Sequence, residues 1–239
     1  MTQHPVEIKI CGLTTPEAAV ACAAAGADCL GFVFHPPSPR HLTIPLARAI
    51  AAALPTPVIR VGVFVHQDAA EILGTADAVG LQTVQLHGAC SAAICAELLA
   101  HGLHVVQKLS GPAAGWPAAS RAIPPAAGLL VECTRGTLPG GNGTPWNWSD
   151  AVPLGTLRPF AVAGGLDPAN VATALRASGA SAVDVSSGVE ATPGVKDLQK
   201  VATFIAAVRA AAVCGQGPVF RPAATIGRGI ATTTPGVAP

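Results

Sequence analysis

Charge is scarce in this chain. Only 11% of its 239 residues are Asp, Glu, Lys or Arg, and they balance to a formal net charge of +1. That leaves no basic field for nucleic acid and none for an acidic membrane surface. No apolar run approaches the roughly 18 to 20 residues needed to cross a bilayer. No basic region followed by an apolar one opens the chain, so a secretory signal is not expected. The seven cysteines are odd in number and unevenly spaced, with no CxxC pair. That usage suits a reducing, cytoplasmic setting rather than a disulfide frame. The seven histidines are scattered without ligand spacing, so no metal site is expected. Half the residues are hydrophobic, enough for a substantial core, and disorder is not expected over most of the length. These limits describe a soluble α/β protein of one large domain or two small ones.

What is present is alternation. Strand-like segments at 6–10, 29–34, 58–65, 83–86, 105–109, 128–131, 160–163 and 182–185 take turns with helix-like ones. The helices fall near 15–25, 45–53, 68–73, 91–100, 117–122, 168–177 and 195–212, with a poorly defined segment at 148–154. The first helix has Thr14 or Thr15 as N-cap, Pro16 in its first turn and Gly26 as its stop. About eight βα units of ~25 to 30 residues predict a single (β/α)8 TIM barrel over residues 1–213. An open doubly wound sheet is the competitor. It would carry a GxGxxG turn after the first strand, and Cys11-Gly12-Leu13-Thr14 is not one. Residues 214–239 turn to Gly, Pro and Thr without periodicity, which predicts a disordered tail.

In such a barrel the polar residues just after each strand converge on one mouth. Strand alternation puts Glu7, Lys9 and Cys11 on one face and Val6, Ile8 and Ile10 on the other. Cys11 stands at the strand's C-terminal tip, a candidate acid or base. Lys9 reads as a barrel ion paired with a carboxylate, for which Glu7 on the same face is a plausible partner. Gly164 and Gly165 follow the seventh strand, and Ser186, Ser187 and Gly188 follow the eighth. Barrels often bind phosphate between these two loops through backbone N–H groups. Arg40, on a proline-stiffened loop, suits bidentate carboxylate recognition. His87 is either a ligand contact or a rim histidine. Glu132, at the tip of the sixth strand, is the second candidate acid or base, and residues 136–143 form a stretch able to close over a ligand. Trp146 and Trp148 read as packing anchors for that loop. A thiol and a carboxyl on different strands could take a proton from carbon and give one to oxygen, with no metal or redox cofactor. That describes a sugar-phosphate isomerisation.

Taken in order, Lys9-Ile-Cys-Gly-Leu-Thr14, Gly31-Phe-Val-Phe34, Ser38-Pro-Arg40, Val84-Gln-Leu-His-Gly88, Ala163-Gly-Gly-Leu166 and Asp184-Val-Ser-Ser-Gly188 make the chain resemble the phosphoribosylanthranilate isomerase family of tryptophan biosynthesis. The resemblance covers essentially residues 6–212. It implies an Amadori rearrangement of N-(5′-phosphoribosyl)anthranilate to a 1-deoxyribulose phosphate, on a small-molecule substrate and without cofactor. It also implies Cys11 as general base, Arg40 at the anthranilate carboxylate, and Asp184 and His87 lining the site. The family's general acid is an aspartate where this chain has Glu132. Glutamate's reference pKa lies within about half a unit of aspartate's, and its carboxyl reaches roughly 1.5 Å further. The unusual residues 133–139 suggest co-adjustment. Two other readings stay open: a barrel that binds a phosphorylated ligand without turning it over, and a neighbouring indole-forming step. The latter would call for mouth lysines, of which Lys108 is the obvious one. A monomer and a homodimer would look alike at this level.

Overall fold

The computed structural model describes residues 4–55, 57–88, 92–109, 112–132 and 146–222. Eight parallel strands close into a barrel: β1 (Glu7–Cys11), β2 (Cys29–Val33), β3 (Ile59–Val65), β4 (Thr83–His87), β5 (His104–Leu109), β6 (Gly128–Glu132), β7 (Phe160–Ala163) and β8 (Ala182–Val185). The seam pairs Lys9 of β1 with Asp184 of β8. Helices α1 (Pro16–Ala24), α2 (Ile44–Ala53), α3 (Ala69–Val79), α4 (Ala92–Ala100), α5 (Trp116–Arg121), α6 (Val152–Gly155), α7 (Val171–Ser178) and α8 (Leu198–Ala210) surround it. No helix is long and apolar enough to cross a membrane among the described residues.

Local chemistry sets the helix ends. The Thr15 hydroxyl accepts from Ala18 N to start α1, and Asp68 and Glu71 form a reciprocal capping box on α3. α3 runs past the expected end at 73, because an interior glycine such as Gly74 costs a helix only about 1 kcal/mol and the residues after it resume the helix. It stops at Gly80, whose φ of 72° is left-handed. α8 starts later than the expected 195. Asp197 accepts from Gln199 N and Lys200 N as its cap, while Val195–Lys196 pairs with Glu190–Thr192 in a small hairpin.

The alternation on β1 is a division between two interiors. Ile8 and Ile10 are fully buried between barrel and helices, among Leu30, Phe32, Val183 and Phe204. Glu7, Lys9 and Cys11 point into the barrel at three successive depths. Around them the interior carries an apolar cluster that includes Cys29, Val61, Val106, Leu130, Ala161 and Ala182.

The expected tail from residue 214 is corrected for its first nine residues. Cys214–Gly215 pairs antiparallel with His4–Pro5, and the chain then turns under the barrel, where Val219 and Phe220 are 0% exposed. Glu7 accepts from the backbone N–H of Val219 at 2.6 Å and of Phe220 at 2.9 Å, and Arg221 reaches its other oxygen at 2.6 Å. Thr83 donates to the Phe220 carbonyl at 2.7 Å, and His104 Nε2 meets the Val219 carbonyl at 2.9 Å. Gly128 leaves room for that carbonyl, which any Cβ there would strike. The buried, paired backbone explains why this Pro/Gly-rich stretch holds one conformation. The rest of the tail, 223–239, lies outside the described residues.

Burial pushes the His104 imidazole below its ordinary 6.5, against the smaller upward pull of the Val219 carbonyl and Glu7. The folded molecule therefore binds fewer protons than the unfolded chain as pH falls through that value, and stability is lost on acidification. The melting temperature is expected to fall below about pH 6.5, and His104→Gln to flatten part of the decline. An unaltered slope in that variant would remove His104 from the effect.

Candidate active site

One cavity opens at the C-terminal ends of the strands, about 840 Å³ including its mouth. Cys11, Arg40, His87, Glu132 and Asp184 all line it, as do Gly164, Gly165, Ser186 and Ser187. Residues far apart in the chain are brought to one place because each sits at or just beyond a strand tip. Among the described residues, no three His, Cys, Asp or Glu side chains gather as a metal site.

The charged partners differ from those the sequence suggests. Lys9, 0% exposed, holds both Asp184 oxygens at 2.9 Å and stands two residues from Cys11 on the same face of β1. Glu7 is not its partner, being one layer lower and taken by residues 219–221. Burial alone would depress the Lys9 ammonium. The charges of Asp184 and Cys11 outweigh it, so the group is held above the usual lysine range. Burial pushes the Cys11 thiol up, Lys9 draws it back, Asp184 pushes up again and Lys196 draws down; the balance stays above the ordinary 9.0.

Arg40 is buried in a bidentate pair with Glu190, Nε to Oε1 at 2.8 Å and Nη2 to Oε2 at 2.7 Å. Lys196 holds the same carboxylate at 2.7 Å. Burial pushes the Glu190 carboxyl up, but Arg40 and Lys196 together hold it below its ordinary value. Gly12, at φ +77°, makes this possible, since a Cβ there would run into the Arg40 side chain. Glu190 and Lys196 escape sequence reasoning because they lie beyond the eighth strand, in a hairpin with no strong pattern of its own.

Glu132 is 4% exposed and paired with Lys108 across the β5–β6 step, Nζ to Oε2 at 2.8 Å. Strand alternation turns both residues inward, a relation the sequence carried in Lys108 and Glu132 but did not link. Gln85 is the other residue missed. Its Nε2 lies 2.6 Å from His87 Nε2, and its buried Oε1 has no hydrogen-bond partner among the described residues. It stands one alternation step below His87, so the motif already held the signal.

The two glycine loops are braced rather than loose. Gly164 and Gly165 both take positive φ, Trp146 Nε1 donates to the Ala163 carbonyl at 2.9 Å, and Asn170 donates to the Gly165 carbonyl at 2.8 Å. Ser186 donates to the Cys11 carbonyl at 3.1 Å, tying the eighth loop to the first strand. Gly188 packs against the Leu166 backbone, where a side chain would collide, and so sets the spacing between the loops. Trp146 also stacks edge-on against Trp116 at 5.3 Å, in keeping with a packing anchor. Trp148 packs partly buried against the core. The stretch 136–143, expected to close over ligand, lies outside the described residues.

The model of the N-(5′-phosphoribosyl)anthranilate (PRA) isomerase family matches residues 8–207. The N-(5′-phosphoribosyl)anthranilate isomerase of Desulfatibacillum aliphaticivorans is 43% identical over 201 residues, covering 84% of this chain and 91% of that protein. A phosphoribosyl anthranilate isomerase solved in complex with reduced 1-(o-carboxyphenylamino)-1-deoxyribulose 5-phosphate superimposes with a TM-score of 0.75 at 35% identity, over 86% of this chain and 99% of its own. Mutually generated monomers of the dimeric enzyme from Thermotoga maritima give a TM-score of 0.76 at 35% identity, with coverage of 86% and 99%. The chain belongs to the N-(5′-phosphoribosyl)anthranilate isomerase family.

Proposed function

We propose that this chain isomerises N-(5′-phosphoribosyl)anthranilate to 1-(2-carboxyphenylamino)-1-deoxyribulose 5-phosphate, with Cys11 as general base and Glu132 as general acid. Protonated Glu132 gives its proton to the furanose ring oxygen. The C1′–O bond breaks as the anilino nitrogen's lone pair forms a C1′=N double bond. The Cys11 thiolate then takes the C2′ proton, and the electrons of that C–H bond become the C1′=C2′ bond of an enolamine. Its C2′ hydroxyl loses a proton while C1′ gains one, leaving the ketone. No electrons leave the substrate, so no redox cofactor is required.

The other groups bind and orient. Gly164, Gly165, Ser186 and Ser187 offer backbone and hydroxyl donors to the phosphate, with Gly188 setting the loop spacing. Arg40, fixed by Glu190 through Nε and Nη2, keeps Nη1 for the anthranilate carboxylate. His87 and Gln85 line the opposite wall. Asp184 lines the cavity, as the resemblance implied, and also holds Lys9 through both carboxylate oxygens. The observation that carries the reading is a thiol and a carboxyl lining one cavity with an arginine and two glycine loops. The dimeric relative from Thermotoga maritima supports a homodimer for this chain, with a monomer as the alternative.

Purified protein is expected to consume the fluorescent anthranilate substrate and form the ketone product. Tight binding of a product analogue without turnover would replace this reading by the binding-only one.

A further inference from the structure

One hairpin outside the cavity wall holds two groups that form it. Glu190–Thr192 and Val195–Lys196 are its arms. Its acid, Glu190, takes Nε and Nη2 of Arg40, whose side chain lines the cavity. Its base, Lys196, donates to the same carboxylate at 2.7 Å, to the Ser186 carbonyl at 3.1 Å and to the Ser186 hydroxyl at 3.4 Å. Three oxygens thus surround an ammonium that has three protons to give. Ser186 opens the loop after β8 and lines the cavity too.

The hairpin is itself fixed from two more sides. Its turn residue Gly194 accepts from the Thr14 hydroxyl at 2.6 Å, just beyond β1. Gly194 also packs so closely on the Pro39 carbonyl, next to Arg40, that a Cβ would come within 2.8 Å of the oxygen. Lys200, exposed, donates to the Glu190 backbone carbonyl at 2.9 Å. The loops after β1, β2 and β8 are therefore joined through one small element.

Charge matters as much as position. In the bonded cluster two cations, Arg40 and Lys196, share the single carboxylate of Glu190, and all three residues are buried. One positive charge is left over. Burying a charge is costly unless it is paired, and Arg40 is the member that reaches the cavity. A carboxylate set against Arg40 completes the balance.

We propose that Lys196 is a positioning residue that couples the two anionic ends of the substrate, holding Arg40 through Glu190 at one end and the phosphate loop through Ser186 at the other. The inference rests on the reading of Arg40 as the carboxylate site and of residues 186–188 as part of the phosphate site. Lys196 itself touches neither anion.

The test is calorimetric titration of the native chain and Lys196→Met with three ligands. These are reduced 1-(o-carboxyphenylamino)-1-deoxyribulose 5-phosphate, its phenylamino counterpart without the carboxylate, and its counterpart without the phosphate. Two ratios of Kd give what each anion contributes to binding. In Lys196→Met both ratios are expected to shrink about tenfold, the order of one charge-assisted hydrogen bond. A variant that melts earlier, or binds all three ligands more weakly by one common factor, with both ratios unchanged, would make Lys196 a stabiliser only and overturn the proposal. Shrinkage of one ratio alone would break the coupling and overturn it as well. Should Lys196→Met not fold, Lys196→Gln decides: it keeps a donor for Ser186 but no charge, and a carboxylate ratio left at the native value would overturn the proposal. A native chain that binds the carboxylate-free ligand as tightly as the full one would instead overturn the reading of Arg40, before any variant is made.

Discussion

Cys11→Ala is expected to lower kcat/KM for phosphoribosylanthranilate by about 10²- to 10⁴-fold, the usual worth of a positioned general base. The substitution is gentle on the fold. It keeps the Cβ and removes only the sulfur, which faces the cavity and packs over Gly31, where a Cβ would come within 2.7 Å of it. Substrate affinity should therefore hold, because the phosphate loops and Arg40 are untouched. The loss should fall on kcat. Cys11→Ser sharpens the result, since a hydroxyl of similar size deprotonates far less readily than a thiol and should rescue little. Fluorescence loss of the anthranilate substrate under saturating conditions measures both variants. Full activity in either one would take Cys11 out of the role of base.

Glu132→Gln is expected to cause a loss of similar size, about 10²- to 10⁴-fold. The amide matches the carboxyl in shape and can still accept from Lys108, yet it has no proton to deliver to the ring oxygen. Glu132→Asp poses a different question. It restores the family's acid but withdraws the carboxyl by roughly 1.5 Å from Lys108, which stands 2.8 Å from it in the native pair. A displacement of that order can cost ~10²-fold in rate. The expected order is therefore native above Asp, and Asp above Gln. An aspartate variant as fast as the native protein would mean that the longer side chain makes no difference to the proton's path. A glutamine variant with full turnover would remove Glu132 from acid catalysis.

The strands and most helices could be read because each carries its period in neighbouring residues. Glu7, Lys9 and Cys11 announced a polar face, and the glycine loops after β7 and β8 announced their position by count. What could not be read was pairing across the closed barrel. Lys9 and Asp184 lie 175 positions apart, and only strand tilt and closure decide that they share a layer while Glu7 does not. The Arg40–Glu190 pair spans 150 positions and depends on a hairpin whose residues alternate weakly. The 214–222 segment was hidden for another reason. Its Gly and Pro content matches that of unstructured chain, and its order comes from three side chains elsewhere in the fold, Glu7, Thr83 and His104.

The carboxylate of Glu7 is made long before its partners Val219, Phe220 and Arg221, which follow it by 212, 213 and 214 positions. Until those residues emerge, water must stand in for them at the carboxylate. A nascent chain halted anywhere before residue 222 must therefore hold an open, wet-bottomed barrel, whatever its helices have already achieved. Closure waits for residues 219–221 to be made, and it joins hydrogen-bond partners 212 to 214 positions apart, a contact order that slows folding. Translation order, more than helix or strand strength, sets when this molecule becomes a sealed enzyme.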